Sequence, residues 1–111
     1  MKDNIRQDIR IILNDIRCTD EYKEYLRSRE ALKSDPISFL KAEEARLELL
    51  KLSTEGSEQD PYLGQLALAE RMPETVEHGP IRDYLRAYAD FCRLIREITD
   101  FLIDGLDFEA V

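Results

Sequence analysis

The chain has no tryptophan, one histidine, two cysteines, and only four glycines and four prolines in 111 residues. Each scarcity removes a class of protein. So little glycine and proline excludes collagen-like, linker-like and turn-rich β architectures. Two lone cysteines, Cys18 and Cys92, cannot build a disulfide framework, and a reducing cytosol is the expected setting. No apolar run approaches the roughly 20 residues that a membrane span requires, so no membrane insertion is expected. The start, Met1-Lys2-Asp3-Asn4-Ile5-Arg6, lacks the apolar stretch of a secretory signal, and a cytoplasmic location is expected. Basic charge is also short: 16 Lys and Arg face 24 Asp and Glu, a net charge of −8. A general grip on nucleic-acid phosphates or anionic lipid is therefore disfavoured.

What is present suits helices. Hydrophobic residues make up 43% of the chain, enough for a core. Leu, Arg, Glu, Lys and Ala are helix formers, and no alternating β-branched run lasts five positions. The expectation is an all-α helical bundle in a single domain spanning 1–111. Its helices are expected over about 3–17, 20–34, 36–54, 60–78 and 80–105, the fourth broken near Pro73.

In the first helix Ile5, Ile9, Ile12, Leu13 and Ile16 share a face. Thr19 caps the second, where Tyr22, Tyr25, Leu26 and Leu32 form the apolar side. Asp35-Pro36 is the sharpest boundary, an N-cap followed by a proline preorganised for the first helical position. In the third helix Phe39, Leu40, Leu47 and Leu50 share a face, and Ala42, Ala45, Leu49 and Leu52 form a smaller one. Glu43 falls on the larger face with Arg46 three residues on. It marks a point where that face opens to solvent, or half of a charge pair at a chain–chain contact. Ser53 to Ser57 reads as a surface turn, Asp60-Pro61 repeats the cap-plus-proline device, and Gly79-Pro80 resets the chain.

The last helix is the most apolar. Tyr84, Tyr88, Phe91, Ile95, Ile98 and Leu102 follow one another in a heptad-like, coiled-coil seam. With the apolar residues beside it the seam sweeps roughly 240°, whereas a surface helix needs a little over 100°. Either the helix is central in its own bundle, or a second chain covers what the first cannot. These six residues are the expected interface, with Tyr84, Tyr88, Phe91 and Ile95 as its anchors.

Charge is unevenly placed: residues 1–52 are neutral, 53–80 carry −5, and 81–111 carry −3. The acidic 53–80 segment reads as a solvated face or as a docking surface for a basic partner.

No constellation carries chemistry. His78, before a Gly-Pro turn, has only Glu74 at helical spacing, and a catalytic zinc wants three protein ligands. The Glu-x-x-His pairs of a di-iron bundle and the glycine motifs of phosphate loops are missing. No catalytic, cofactor-binding or metal residue is assigned, and the chain is not expected to be an enzyme.

Glu21-Tyr22-Lys23-Glu24-Tyr25, then Ala31-Leu32-Lys33-Ser34-Asp35-Pro36 and a Leu-rich helix, resemble the bacterial YlbF/YmcA family of small helical regulators. The last helix is similar too, from Ile81-Arg82-Asp83-Tyr84-Leu85-Arg86-Ala87 to the apolar run Ile98 to Leu106. The similarity covers roughly Ile5 to Leu106. It implies an all-α protein on a long helical hairpin, self-associating into dimers or larger assemblies, without catalysis. It also implies partners among related family members and ribonuclease Y, in a complex that affects RNA processing, competence, biofilm formation and sporulation. Iron–sulfur-binding members carry several cysteines, in part near the C-terminus, whereas Leu106 to Val111 holds none. No cofactor is therefore expected. The alternative is an iron–sulfur or metal site shared between chains through Cys18 and Cys92.

Overall fold

The structure is a computed structural model that describes residues 1–55 and 61–106. Six helices follow in order: α1 (Asp3–Arg17), α2 (Asp20–Leu32), α3 (Pro36–Glu55), α4 (Pro61–Arg71), α5 (Pro73–Glu77) and α6 (Gly79–Gly105). No strand occurs among the described residues.

Local chemistry explains where the helices start and stop. The Asp35 carboxylate accepts from the backbone N–H of Ile37 at 3.2 Å and from the Ser38 hydroxyl at 2.7 Å. It thereby satisfies donors of the first turn of α3, which has no earlier carbonyls to bond. Thr19 does the same for α2, its hydroxyl oxygen accepting from the Tyr22 N–H at 3.3 Å. At Pro73 the expected interruption is a complete break. Met72 sits at φ −130° and ψ 58°, outside the helical region that a following proline disfavours. Ser53 to Glu55, expected to open a turn, continue α3 instead. Gly56, Ser57 and the expected Asp60 cap lie outside the described residues.

At 27 residues and about 1.5 Å per residue, α6 runs roughly 40 Å, most of the molecule's 45 Å length. α2, α3, α4 and α5 all pack on it. Ile81, Tyr84, Leu85 and Tyr88 of α6 meet Leu32 of α2, Ala42, Ala45 and Leu49 of α3, and Leu68 of α4. The core thus closes on the first half of α6. Beyond Ala89 no described α6 residue is buried.

α2 runs antiparallel to α6: Tyr22 meets Phe91, while Ala31 shares a groove with Pro80. Ser28 of α2 is buried, and its hydroxyl donates to the Tyr25 carbonyl at 3.1 Å. Among the described residues α1 buries none and packs on α2 alone.

α3 presents its smaller face inward. Ala42, Ala45 and Leu49 are fully buried, whereas Leu40 and Leu47 are 64% and 55% exposed. Two alanines bring the α3 backbone close to its neighbours beside Leu49, while Leu40 and Leu47 are left outside. Interiors packed this tightly have no room for added methylenes. Ala45→Leu should therefore destabilise the fold by about 1–3 kcal/mol in a denaturant titration.

Candidate functional site

A polar cluster fastens α2, α3 and α6 at one level. Tyr84, fully buried on α6, donates its hydroxyl to Glu43 Oε1 on α3 at 2.6 Å. Arg46 Nε donates to the other carboxylate oxygen at 3.1 Å, and Arg29 of α2 approaches Oε1 at 3.5 Å. Each guanidinium also covers an aromatic ring, Arg46 over Tyr88 at 5.4 Å and Arg29 over Phe39 at 5.5 Å. The sequence pairing of Glu43 with Arg46 is present, but inside one chain. Glu43 is partly covered by α2 and α6, its side chain remaining 21% exposed.

The cluster sets its own protonation. Burial alone would raise the Glu43 carboxyl, but hydrogen bonds from Tyr84 and Arg46 and the charges of Arg46 and Arg29 together hold it below its ordinary value. Burial, then the bond to Glu43, pushes the Tyr84 hydroxyl far up. Tyr88 is pushed up to about 12 by burial and by its hydrogen bond with Cys92. These groups serve structure: at neutral pH Glu43 stays charged and the tyrosines stay neutral.

Rings extend the contact along α2. Tyr25 lies nearly parallel to both Tyr84 and Phe91, each at 5.6 Å, and Tyr22 meets Phe91 edge-on at 5.5 Å. On the other side Tyr62 of α4 donates its hydroxyl to Asp90, with Arg86 and Arg93 over its ring at 4.7 and 5.6 Å. Sequence pattern showed neither Arg29 nor the Tyr62 contact. Both join residues distant in sequence, and only the fold brings them together.

The expected six-residue seam divides. Tyr84 and Tyr88 are buried in the chain's own core, and Phe91 is half-covered by Tyr22 and Tyr25. Ile98 is half-buried, while Ile95 and Leu102 are exposed, Leu102 at 54%. The surface part of the seam therefore runs from Ile95 to Leu102, with Phe101 beside it at 80%. Two more apolar stripes face outward: Ile5, Ile9 and Ile12 on α1, and Ile37, Leu40 and Leu47 on α3.

No group of three or more His, Cys, Asp or Glu that could hold a metal ion occurs among the described residues. Cys18 is exposed at the α1–α2 junction. Cys92 is partly buried, and desolvation raises its thiol, the opposite of what a thiolate ligand needs. His78 and Glu74 are exposed, as are Glu70 and Glu77 of the acidic segment. Glu58 and Asp60 of that segment lie outside the described residues. No helix among the described residues is long and apolar enough to cross a membrane.

The depressed Glu43 carboxyl gives stability that is fully present above its ordinary value of 4.5 and lost as pH falls through the folded value. Glu43→Gln removes a charged partner from Tyr84 and Arg46. It should cost roughly 1–3 kcal/mol at neutral pH and flatten the acid limb of the stability profile, read by urea melts from pH 7 to 3.

A family model described as control of competence regulator ComK, YlbF/YmcA, matches residues 5–107. No curated protein and no solved structure matches the chain. The matched span reaches into all six helices, including the cluster around Glu43 and both halves of α6. On that span the chain belongs to the YlbF/YmcA family, a family of regulators implicated in the control of ComK.

Proposed function

We propose that the protein is a non-catalytic regulatory adaptor that acts by packing exposed helix faces against other helices, in homo- or hetero-oligomers. One observation carries this reading. A chain of 13.0 kDa leaves three apolar stripes uncovered, on α1, on α3 and on the distal half of α6. Large contiguous apolar surface on a small domain marks a contact site. Membership of a regulator family supports the same reading. The resemblance extends it to a complex with related members and a ribonuclease Y-type partner, influencing RNA processing and developmental regulation.

The seam residues Ile95, Ile98 and Leu102 are the contact surface assigned to self-association, with Phe91 at its inner edge. Light scattering during gel filtration should give a mass at or above twice 13.0 kDa. Leu102→Asp should shift it toward the monomer, because a buried, unpaired carboxylate costs several kcal/mol at a contact. Leu102 is outside the core, so circular dichroism should be unchanged. A folded wild-type monomer, or a Leu102→Asp variant of wild-type mass, would overturn the assignment.

A further inference from the structure

α3 turns an apolar row away from the bundle, and two opposite charges stand close beside that row. On a helical wheel at about 100° per residue, the buried Ala42, Ala45 and Leu49 lie roughly 140–160° from Leu47. Leu47 therefore points almost straight out. Leu40 lies about 20° from it, and Leu50 about 60° to one side. Lys51 and Glu44 stand about 40° and 60° to the other side, within the arc that a helix packed on Leu47 touches. All five residues are exposed.

An acid and a base on the same side of the row, two turns apart, make this face complementary to itself. Antiparallel helices bring matching sides together, and parallel helices bring opposite sides together. In a two-fold parallel pair Glu44 falls beside Glu43 of the second copy, because Glu43 lies on the Leu50 side of Leu47. That sets acid against acid. In an antiparallel pair Glu44 can stand opposite Lys51 of the second copy, and the two-fold axis makes the same pairing twice.

The pairing also fixes the register. With Glu44 level with Lys51 of the second copy, the axis passes between positions 47 and 48. The two Leu47 side chains then meet at the axis, their levels about 1.5 Å apart. Leu50 of each copy comes within two residues, about 3 Å, of the level of the other copy's Leu47. Four leucines thus close together, with a charge pair beside them at each end. A rival antiparallel register lays Leu40 on Leu47 of the second copy. It brings the two Glu44 carboxylates to nearly one level across the axis, so like charges oppose it.

We infer that α3 is a self-contact surface that packs antiparallel on α3 of a second copy, Leu47 at the two-fold axis and a Glu44–Lys51 pair on either side of it. The inference rests on the self-association reading above but uses a face separate from the α6 seam. The two faces belong to different helices, so each contact can be removed by itself.

Sedimentation equilibrium of the full chain tests it in a Leu102→Asp background, which removes the α6 contact. That chain should still dimerise. Glu44→Lys or Lys51→Glu added to it should weaken the dimer about tenfold, since each reversal acts at two surface pairs. The two reversals together should return close to the starting constant, because the exchanged charges again face each other. Leu47→Asp in the same background should leave a monomer. The substituted positions are exposed, and circular dichroism checks that the bundle is intact. A Leu102→Asp chain that is monomeric while the wild type self-associates overturns the α3 contact alone. So does a remaining dimer that is indifferent to Lys51→Glu or Leu47→Asp, or a double reversal as weak as the singles. A wild-type chain that stays monomeric at every concentration overturns both readings.

Discussion

The hydrogen bond from Tyr84 to Glu43 is the fixed point of the molecule, because each group around it requires the next. A tyrosine can be buried whole only if its hydroxyl has an acceptor. The acceptor is a carboxylate, which tolerates partial burial only beside cations, and Arg46 and Arg29 supply them. The guanidiniums in turn rest on the rings of Tyr88 and Phe39. One chain of requirements thus spans α2, α3 and α6 and fixes the rotation of α6 about its own axis. Since α6 is continuous from Gly79 to Gly105, that rotation also decides which way Ile95, Ile98 and Leu102 look. The polar cluster in the core aims the apolar surface outside it.

Features written in adjacent residues were legible in the sequence. Asp35 before Pro36 and Thr19 before Asp20 mark helix starts by chemistry that acts within four residues. The break at Pro73 follows from one ring. Features that depend on a choice between faces were not legible. Leu40 and Leu47 outweigh Ala42 and Ala45 on any hydrophobic scale, yet α3 turns its alanines inward, since the neighbouring helices reward closeness over bulk. Glu43 and Arg46 could be paired on spacing alone, but the tyrosine that buries them lies 41 residues away. The apolar arc of α6 left open whether its own bundle or a second chain covers it. It did not say that cover would end near Phe91, which follows from where α2 begins.

The buried core and the exposed apolar surface belong to different parts of the chain. The core uses the first half of α6 with α2, α3 and α4. Among the described residues α1 and the second half of α6 hold none that is fully buried; Ile16, Cys92, Leu94, Ile98 and Ile103 are partly covered. Such a division suits a regulator, whose contacts must form and dissolve without the fold dissolving too. The conspicuous chemistry of the surface is apolar, and Glu43 and Tyr84, whose protonation is shifted, are held in a packing contact.

The inward alanines of α3 have a consequence for how the protein can diversify. A helix seated on its large residues has its outer identity tied to its core, since turning or resizing one disturbs the other. A helix seated on two alanines and Leu49 leaves Leu40 and Leu47 free of the core. Ile37, Leu40 and Leu47 can be rewritten one at a time while the bundle beneath keeps its shape. The fold thus holds a page on which partner choice is edited without reopening the question of folding.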